Sequence, residues 1–454
     1  MNQVKLNEKI LITIKKIGIN GEGVGYYKRQ AIFVDGALPG EEVEVEIVDA
    51  KENYAYGEIL RFKTKSPDRV EPKCPYYGKC GGCQLQHLSY EKTLEEKANI
   101  ILDSFERYCD DSIDNVMFYE TIGMENPWHY RNKSNLPVRH DGEKVVSGLY
   151  HKNTNKLVYI DKCLIESEHV SSIVDQVLKV LTEERVDVYN PKFKHGQLRY
   201  IIVRAFEDTL EAQVTLVIRK LDVKLEKAMK KISKIENVKS VYYTINSDLK
   251  SIELFGNETV QYAGNKEIKG KLGDLNFLIS PKAFFQLNEK QTKVLYEQIK
   301  KACNLTGKEN VLDCYCGIGS IGMYLAKDAK EVRGIDINKE GIENAKKFAR
   351  INKIDNAKFY YGNILPHFND FLKEGFVPDV LICDPPRKGM DLNFINFLKK
   401  TKIKKIIYVS CNPSTLAKNV NHLKKEYRLE SIQPIDMFPW TSNVEAVVTL
   451  KLKK

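Results

Sequence analysis

Between residues 310 and 452, short apolar runs alternate with amphipathic stretches of helical period, and that rhythm admits few folds. The runs fall at 310–314, 331–335, 358–361, 380–383, 406–409 and 446–452, with helices expected over 319–328 and 340–352. Runs that stay apolar without alternation suit strands buried on both faces, the pattern of a parallel sheet. A helix over 289–302 precedes them, so residues 276–454 read as a doubly wound, Rossmann-like α/β domain. In such a sheet ligands collect at the carboxyl ends of the strands. Two of those ends carry chemistry: Asp384-Pro385-Pro386-Arg387 after 380–383, and Ser410-Cys411-Asn412-Pro413 after 406–409. Proline fixes φ and cannot extend a strand, so both tetrads are loops. A thiol, a carboxylate and a guanidinium are expected over one crevice.

At 454 residues the chain is too long for one ordinary core. Residues 1–62 carry short alternating strands between glycine turns, as in a small OB-like barrel. Lys15, Lys16, Tyr26, Tyr27, Lys28, Arg29, Tyr54 and Tyr56 mix cations with stacking faces there, as RNA-binding barrels do; a generic soluble barrel fits equally. The net charge of +10 favours a polyanionic partner. Residues 63–275 read as a central α+β domain, with helices over 90–108 and 167–185 and strands at 156–160, 197–206 and 212–218. Its Arg131, Lys133, Arg199, Arg204 and Arg219 suit RNA phosphates or a solvated strand face equally well. No apolar run reaches membrane-spanning length and no signal sequence opens the chain, so a cytoplasmic protein without a membrane partner is expected. There, clustered cysteines point to metal or catalysis rather than disulfides. Cys74, Cys80 and Cys83 stand at C-x5-C-x2-C, with Cys163 as a natural fourth ligand. Four thiolates suit zinc or an iron–sulfur cluster, and spacing does not separate the two.

The loop from Asp313 to Gly322 runs from a strand into a helix through Gly317 and Gly319, and Asp336 ends the next strand. That is compatible with NAD, and an NAD-linked iron–sulfur oxidoreductase stays open on this motif. The early acid Asp313 favours S-adenosylmethionine, with Gly362-Asn363 near the adenine. Cys411 adds weight on that side, because a thiolate suits addition to an electron-poor carbon. Uracil C5 cannot take a methyl group unaided. Addition of a thiol to C6 makes C5 nucleophilic, and a base must later remove the C5 proton. Glu445, entering the last strand, is placed for that step.

With these residues in place, the chain resembles the RNA uracil-5-methyltransferase family, and its TRAM-containing, iron–sulfur 23S ribosomal RNA branch in particular. The resemblance spans the whole length, through GINGEGVGYYKRQAIFVDGALPGEEVEVEI, the four cysteines, SPKAFFQLN, DCYCGIGS, DPPR, SCNPSTLA and DMFPWTSNVEAV. It implies a TRAM barrel, a central domain with an iron–sulfur loop and a methyltransferase domain, with residues near 86–118 packing on the last. It further implies that Cys74, Cys80, Cys83 and Cys163 hold a 4Fe–4S cluster. Gln286, Tyr315, Asp336 and Asp384 would bind S-adenosylmethionine, joined by Ser320 and Asn363. Phe284 would stack near the target base, Cys411 would be the nucleophile and Glu445 the base. The implied product is 5-methyluridine in 23S ribosomal RNA, free or in early assembly intermediates, made by a monomer. A tRNA uridine is the alternative target, and a non-catalytic RNA-binding module the alternative class. Three residues depart from the family pattern: Trp440 for a histidine, Asp336 for a glutamate and Ser320 for asparagine or threonine.

Overall fold

The computed structural model describes residues 4–110, 113, 115–152, 154–249 and 253–453. Alternation closes the first strands on themselves. Lys9–Ile17, Gly23–Tyr27, Gln30–Val34, Tyr54–Thr64 and Glu42–Ala50 neighbour one another in that order and form a closed barrel. Its interior is Ile10, Ile12, Ile14, Ile32, Val34, Val43, Val45 and Ile47, one residue in two along each strand. Lys28 and Arg29 turn the second hairpin with both φ positive, 47° and 72°. This turn matches the twist of the strands and holds two cations at its tip.

A seven-stranded sheet follows, in the order Glu258–Gly264, Val238–Ile245, Ala212–Ile218, Leu198–Ala205, Lys133–Asp141, Lys144–Tyr150, Leu157–Tyr159. Helices Glu168–Glu183 and Val223–Ile232 cover it through Val170, Ile173, Val177, Leu181, Leu225 and Met229. Two of its arginines answer neither expectation. Arg199 and Arg204 are buried; Arg199 Nη1 donates to the carbonyls of Asn246 (2.7 Å) and Asp248 (3.0 Å). Their guanidiniums satisfy backbone carbonyls, so they face neither RNA nor water.

The last sheet has eight strands, in the order Ala357–Tyr361, Glu331–Asp336, Asn310–Cys314, Val380–Cys383, Lys405–Ser410, Glu445–Leu452, Tyr427–Ile435, Met117–Phe118. The first five are mutually parallel, and Glu445–Leu452 runs antiparallel between its two neighbours. A hydrophobic core lies on each face of this sheet, which is Rossmann-like. Helix Tyr90–Tyr108, capped by the Ser89 hydroxyl on Lys92 N–H, packs against helix Pro413–Leu423. No helix among the described residues is long and apolar enough to cross a membrane.

The expected iron–sulfur loop is corrected here. Among the described residues, no three His, Cys, Asp or Glu side chains gather closely enough to hold a metal ion. Cys74, Cys80, Cys83 and Cys163 line the walls of one small cavity without converging as a ligand set. The segment is held by other means. The N–H groups of Gln84 and Leu85 both donate to the Trp440 carbonyl at 2.9 Å, and Leu85 and Leu88 enter the main core. Neither zinc nor a 4Fe–4S cluster is therefore assigned.

One buried ion pair ties the parts together. Lys97 and Asp436 pair with no exposed side-chain surface, and Lys97 Nζ also donates to the Phe438 carbonyl at 3.1 Å. The Tyr90 hydroxyl donates to the second Asp436 oxygen at 2.8 Å. Lys97→Met alone leaves a buried carboxylate without its cation and is expected to cost about 3–5 kcal/mol in denaturant melts. Adding Asp436→Asn should restore at least half of that loss. A single variant as stable as the parent would show that the pair does not hold this junction.

Candidate active site

Strand Asn310–Cys314 delivers Tyr315 in the left-handed region, φ 62°, followed by Gly317 and Gly319 at 54° and 75°. At Gly319 a side chain is excluded, because a Cβ would lie 2.4 Å from the Phe359 ring. Around Gly317 nothing lies within 4 Å of where a Cβ would be, so the cradle is open there. Asp336 stands at its edge. One carboxylate oxygen accepts Gly317 N–H (2.9 Å) and the other Asn338 N–H (2.7 Å), leaving lone pairs for a ligand's hydroxyls. Beneath the loop, Asp313 accepts Gly322 N–H at 3.0 Å, while its other oxygen is buried without a partner. Burial pushes this carboxyl up to about 8. Gly362 N–H bonds the Asp336 carbonyl at 3.0 Å and brings exposed Asn363 to the same rim. The open cradle, the ribose-sized diol acceptor and the orphaned acid fit the nucleoside part of S-adenosylmethionine. Ser320 is less free, since its hydroxyl is 2.7 Å from that of buried Tyr296.

Register sets the second half of the site. Ser410 pairs with Ala446, so Cys411 and Glu445 emerge side by side from antiparallel neighbours. Cys383 pairs with Tyr408 in parallel register, which puts Asp384 at the adjoining strand end. Asn412 clasps the two loops. Its amide donates to the Arg387 carbonyl (3.0 Å), and its oxygen caps the next helix on Ser414 N–H (3.1 Å) and Thr415 N–H (3.4 Å). Arg387 Nη2 reaches Asn443 at 3.4 Å, closing the ring of loops. Burial pushes Glu445 up to about 8, with Asp384 adding to the shift and Arg387 opposing it. Asp384 rises to about 7 through burial. The Cys411 thiol is also raised, by burial first and then by Glu445 and Asp384, against Arg387.

The third wall is the loop from Ser280 to Asn288. Arg204 holds the carbonyls of Ser280 (3.4 Å) and Ala283 (2.9 Å), and the Asn132 amide holds that of Gln286 (3.1 Å). Asn288 caps helix Glu289–Cys303 and donates to the Met437 carbonyl at 3.0 Å. Phe285 is locked edge-on between Phe206 and Phe277, whereas Phe284 is 72% exposed. A rigid loop thus holds one aromatic ring outward. Sequence reasoning missed Asn132 and Tyr296, and it gave Arg204 to RNA or solvent rather than to this loop, because the partners lie far along the chain.

An open nucleoside cradle, a thiol and an acid at adjoining strand ends, and a separate small barrel define an S-adenosylmethionine-dependent methyltransferase joined to an RNA-binding module. Comparison with known proteins places it further. The sequence model of the tRNA (Uracil-5-)-methyltransferase family matches residues 89–362 and 367–453, and that of the TRAM domain residues 3–60. The chain belongs to this family and is an RNA uracil-5-methyltransferase. It is 45% identical over 450 residues to an uncharacterized RNA methyltransferase of Halalkalibacterium halodurans, covering 98% of this chain and 97% of that one. With an uncharacterized RNA methyltransferase of Listeria monocytogenes it shares 42% over 455 residues, covering 100% of this chain and 99% of the relative. Among solved structures, it resembles the Pyrococcus abyssi tRNA (uracil-54, C5)-methyltransferase in complex with S-adenosyl-L-homocysteine. There the TM-score is 0.76 and the identity 29%, over 97% of this chain and 100% of the other.

That likeness corrects the expected 23S ribosomal RNA branch. The barrel and the cysteine loop were the features that marked that branch, yet the chain matches a tRNA enzyme over 97% of its length. With no metal-binding group formed by the cysteines, neither feature selects ribosomal RNA.

The raised Glu445 carboxyl has a consequence for stability. Between the ordinary glutamate range and about 8, the folded chain holds a proton that the unfolded chain releases. Folding therefore weakens as pH rises through that window. Glu445→Gln, neutral throughout, should lie within about 1 kcal/mol of the parent near pH 5 and exceed it by about 4 kcal/mol at pH 8 in denaturant melts. Equal stability at pH 8 would mean that the carboxyl is not held neutral.

Proposed function

We propose that the chain methylates C5 of a uridine in tRNA, at the position corresponding to uracil 54, through a covalent bond between Cys411 and uracil C6. The observation that carries this reading is the emergence of Cys411 beside Glu445 at paired strand ends, next to Asp384. The tRNA assignment draws on the likeness to the Pyrococcus abyssi enzyme. Gln286, Tyr315, Asp336 and Asp384 hold S-adenosylmethionine, with Asn363 and Ser320 at the margin and Phe284 against the target base. When bound, S-adenosylmethionine supplies an electrophilic methyl group on a cationic sulfur.

The thiol of Cys411 releases its proton to solvent and adds to C6, which moves electron density to C5. Arg387 favours the thiolate; Glu445 and Asp384 oppose it until their own charge is neutral. Once C5 carries the methyl group, Glu445 takes the C5 proton, the C6–S bond breaks and the thiolate leaves. Glu445 then loses its proton to solvent and the Cys411 thiolate regains one, so one net proton is released per methyl transferred. Because a thiol and a carboxyl, both raised, must ionise, single-turnover rates should climb from pH 6 towards pH 9.

Cys411→Ala should retain S-adenosylhomocysteine binding yet form no adduct. Glu445→Gln should transfer the methyl group and then stall, leaving protein covalently attached to methylated RNA. A denaturing gel with end-labelled, unmodified tRNA transcript reads both. Normal turnover by Glu445→Gln would assign the base elsewhere, and a tRNA transcript left unmethylated by the parent chain would end the tRNA reading.

A further inference from the structure

A groove of about 680 Å3 separates the barrel from helix Tyr90–Tyr108 and ends at Ser414, in the first turn of the helix that Cys411 precedes. Its barrel wall is aromatic. Phe33, Tyr54 and Tyr56 form a cluster with ring centroids 5.6–5.8 Å apart, and Tyr26 stands beside them. Tyr26, Tyr54 and Tyr56 all keep large exposed surfaces. The facing helix carries Arg107 and Asp103, and Asp103 pairs with Lys16 of the barrel at 2.9 Å.

Glu22 also lines this groove, and it is only 6% exposed. One carboxylate oxygen accepts the Asn20 amide at 3.1 Å; the other is buried with no partner. Such an oxygen costs free energy unless something donates to it. Its position is tied to the active site. Gly21, at φ 91°, approaches so closely that a Cβ there would lie 2.6 Å from Gln84 Cβ and 3.4 Å from Ser442 Cβ. The turn bearing Glu22 therefore abuts the loop that leads into Glu445.

We propose that this groove is a base-recognition subsite that takes an unpaired guanine close to the target uridine in the same RNA strand. The base stacks on Tyr54 and Tyr56, and Glu22 accepts its N1–H and N2–H. Guanine alone presents two adjacent donors on its Watson–Crick edge. Adenine and cytosine set one amino donor beside a ring nitrogen that repels a carboxylate, and uracil sets one N–H between two carbonyls. Stacking supplies sequence-tolerant affinity, and the carboxylate supplies the choice. Arg107 at the rim meets the backbone phosphates.

The inference rests on the substrate being an RNA uridine, not on that RNA being tRNA. The test uses labelled uridine-rich hexanucleotides carrying one guanine, inosine, adenine or cytosine beside a uridine, with fluorescence anisotropy on the full chain. The parent should bind the guanine oligomer at least fivefold more tightly than the others, inosine included, because inosine lacks the N2 amine. Glu22→Gln should erase that preference, and the double variant Tyr54→Ala, Tyr56→Ala should weaken every oligomer about tenfold. All should bind S-adenosylhomocysteine as the parent does. Equal affinity of the parent for guanine and inosine, or a preference that survives Glu22→Gln, overturns the proposal. If Glu22→Gln does not fold, the guanine-to-inosine comparison on the parent decides alone. No methyl transfer is involved, so failure of the tRNA assay leaves this outcome separately readable.

Discussion

The buried pair of Lys97 and Asp436 fixes the segment on which everything else converges. A lysine wholly removed from water is tolerated only where an opposite charge and further hydrogen bonds compensate it, and here Asp436 and the Phe438 carbonyl do so. From that anchor the chain runs through Trp440, whose ring stacks on Trp128 with centroids 4.6 Å apart and whose indole N–H donates to the Pro127 carbonyl. Tyr130 holds the Pro439 carbonyl and Gln291 that of Asp436. The helix after the cysteine loop, the central sheet and the methyltransferase sheet thus grip one loop. What they place is Glu445.

Electrostatics at the strand ends follow from the same enclosure. Asp313, Asp384 and Glu445 are three carboxyls held near one crevice, and burial raises each of them well above the ordinary range. Arg387 is the cation that opposes the rise at Glu445 and at the thiol. Such a site tolerates an arriving positive charge more readily than a negative one, since a cation would lower all three carboxyls together. Rigid loops rather than flexible side chains maintain this arrangement, through Asn412, Asn288 and Asn132.

Much of the methyltransferase half was legible because buried parallel strands leave unbroken apolar runs, and the candidate site lies where those runs stop. Val380–Cys383 and Lys405–Ser410 are such cases. Tyr427–Ile435 was not legible: its sequence YRLESIQPI alternates polar residues and includes a proline that breaks the pattern of its neighbours. Charge was the other blind spot. Arg199 and Arg204 read as residues facing RNA or solvent, and only folding supplies the distant carbonyls that hold them buried. The cysteine loop erred in the opposite direction. Its spacing permits convergence, but whether four thiols converge depends on packing around Leu85, Tyr130 and Trp440, which spacing does not encode.

The order of the last sheet has a consequence for synthesis. Strand Glu445–Leu452 is the last in sequence, yet it lies inside the sheet, between Lys405–Ser410 and Tyr427–Ile435. During translation the barrel and the central sheet can form as they emerge, because their strands pair locally or with segments already made. The thiol loop cannot. Until residues through 452 have been made, Ser410 has no Ala446 to pair with, and Cys411 has no acid beside it. Under the proposed reaction, a nascent or prematurely terminated chain would carry its barrel before it had the paired strand ends that the covalent step needs.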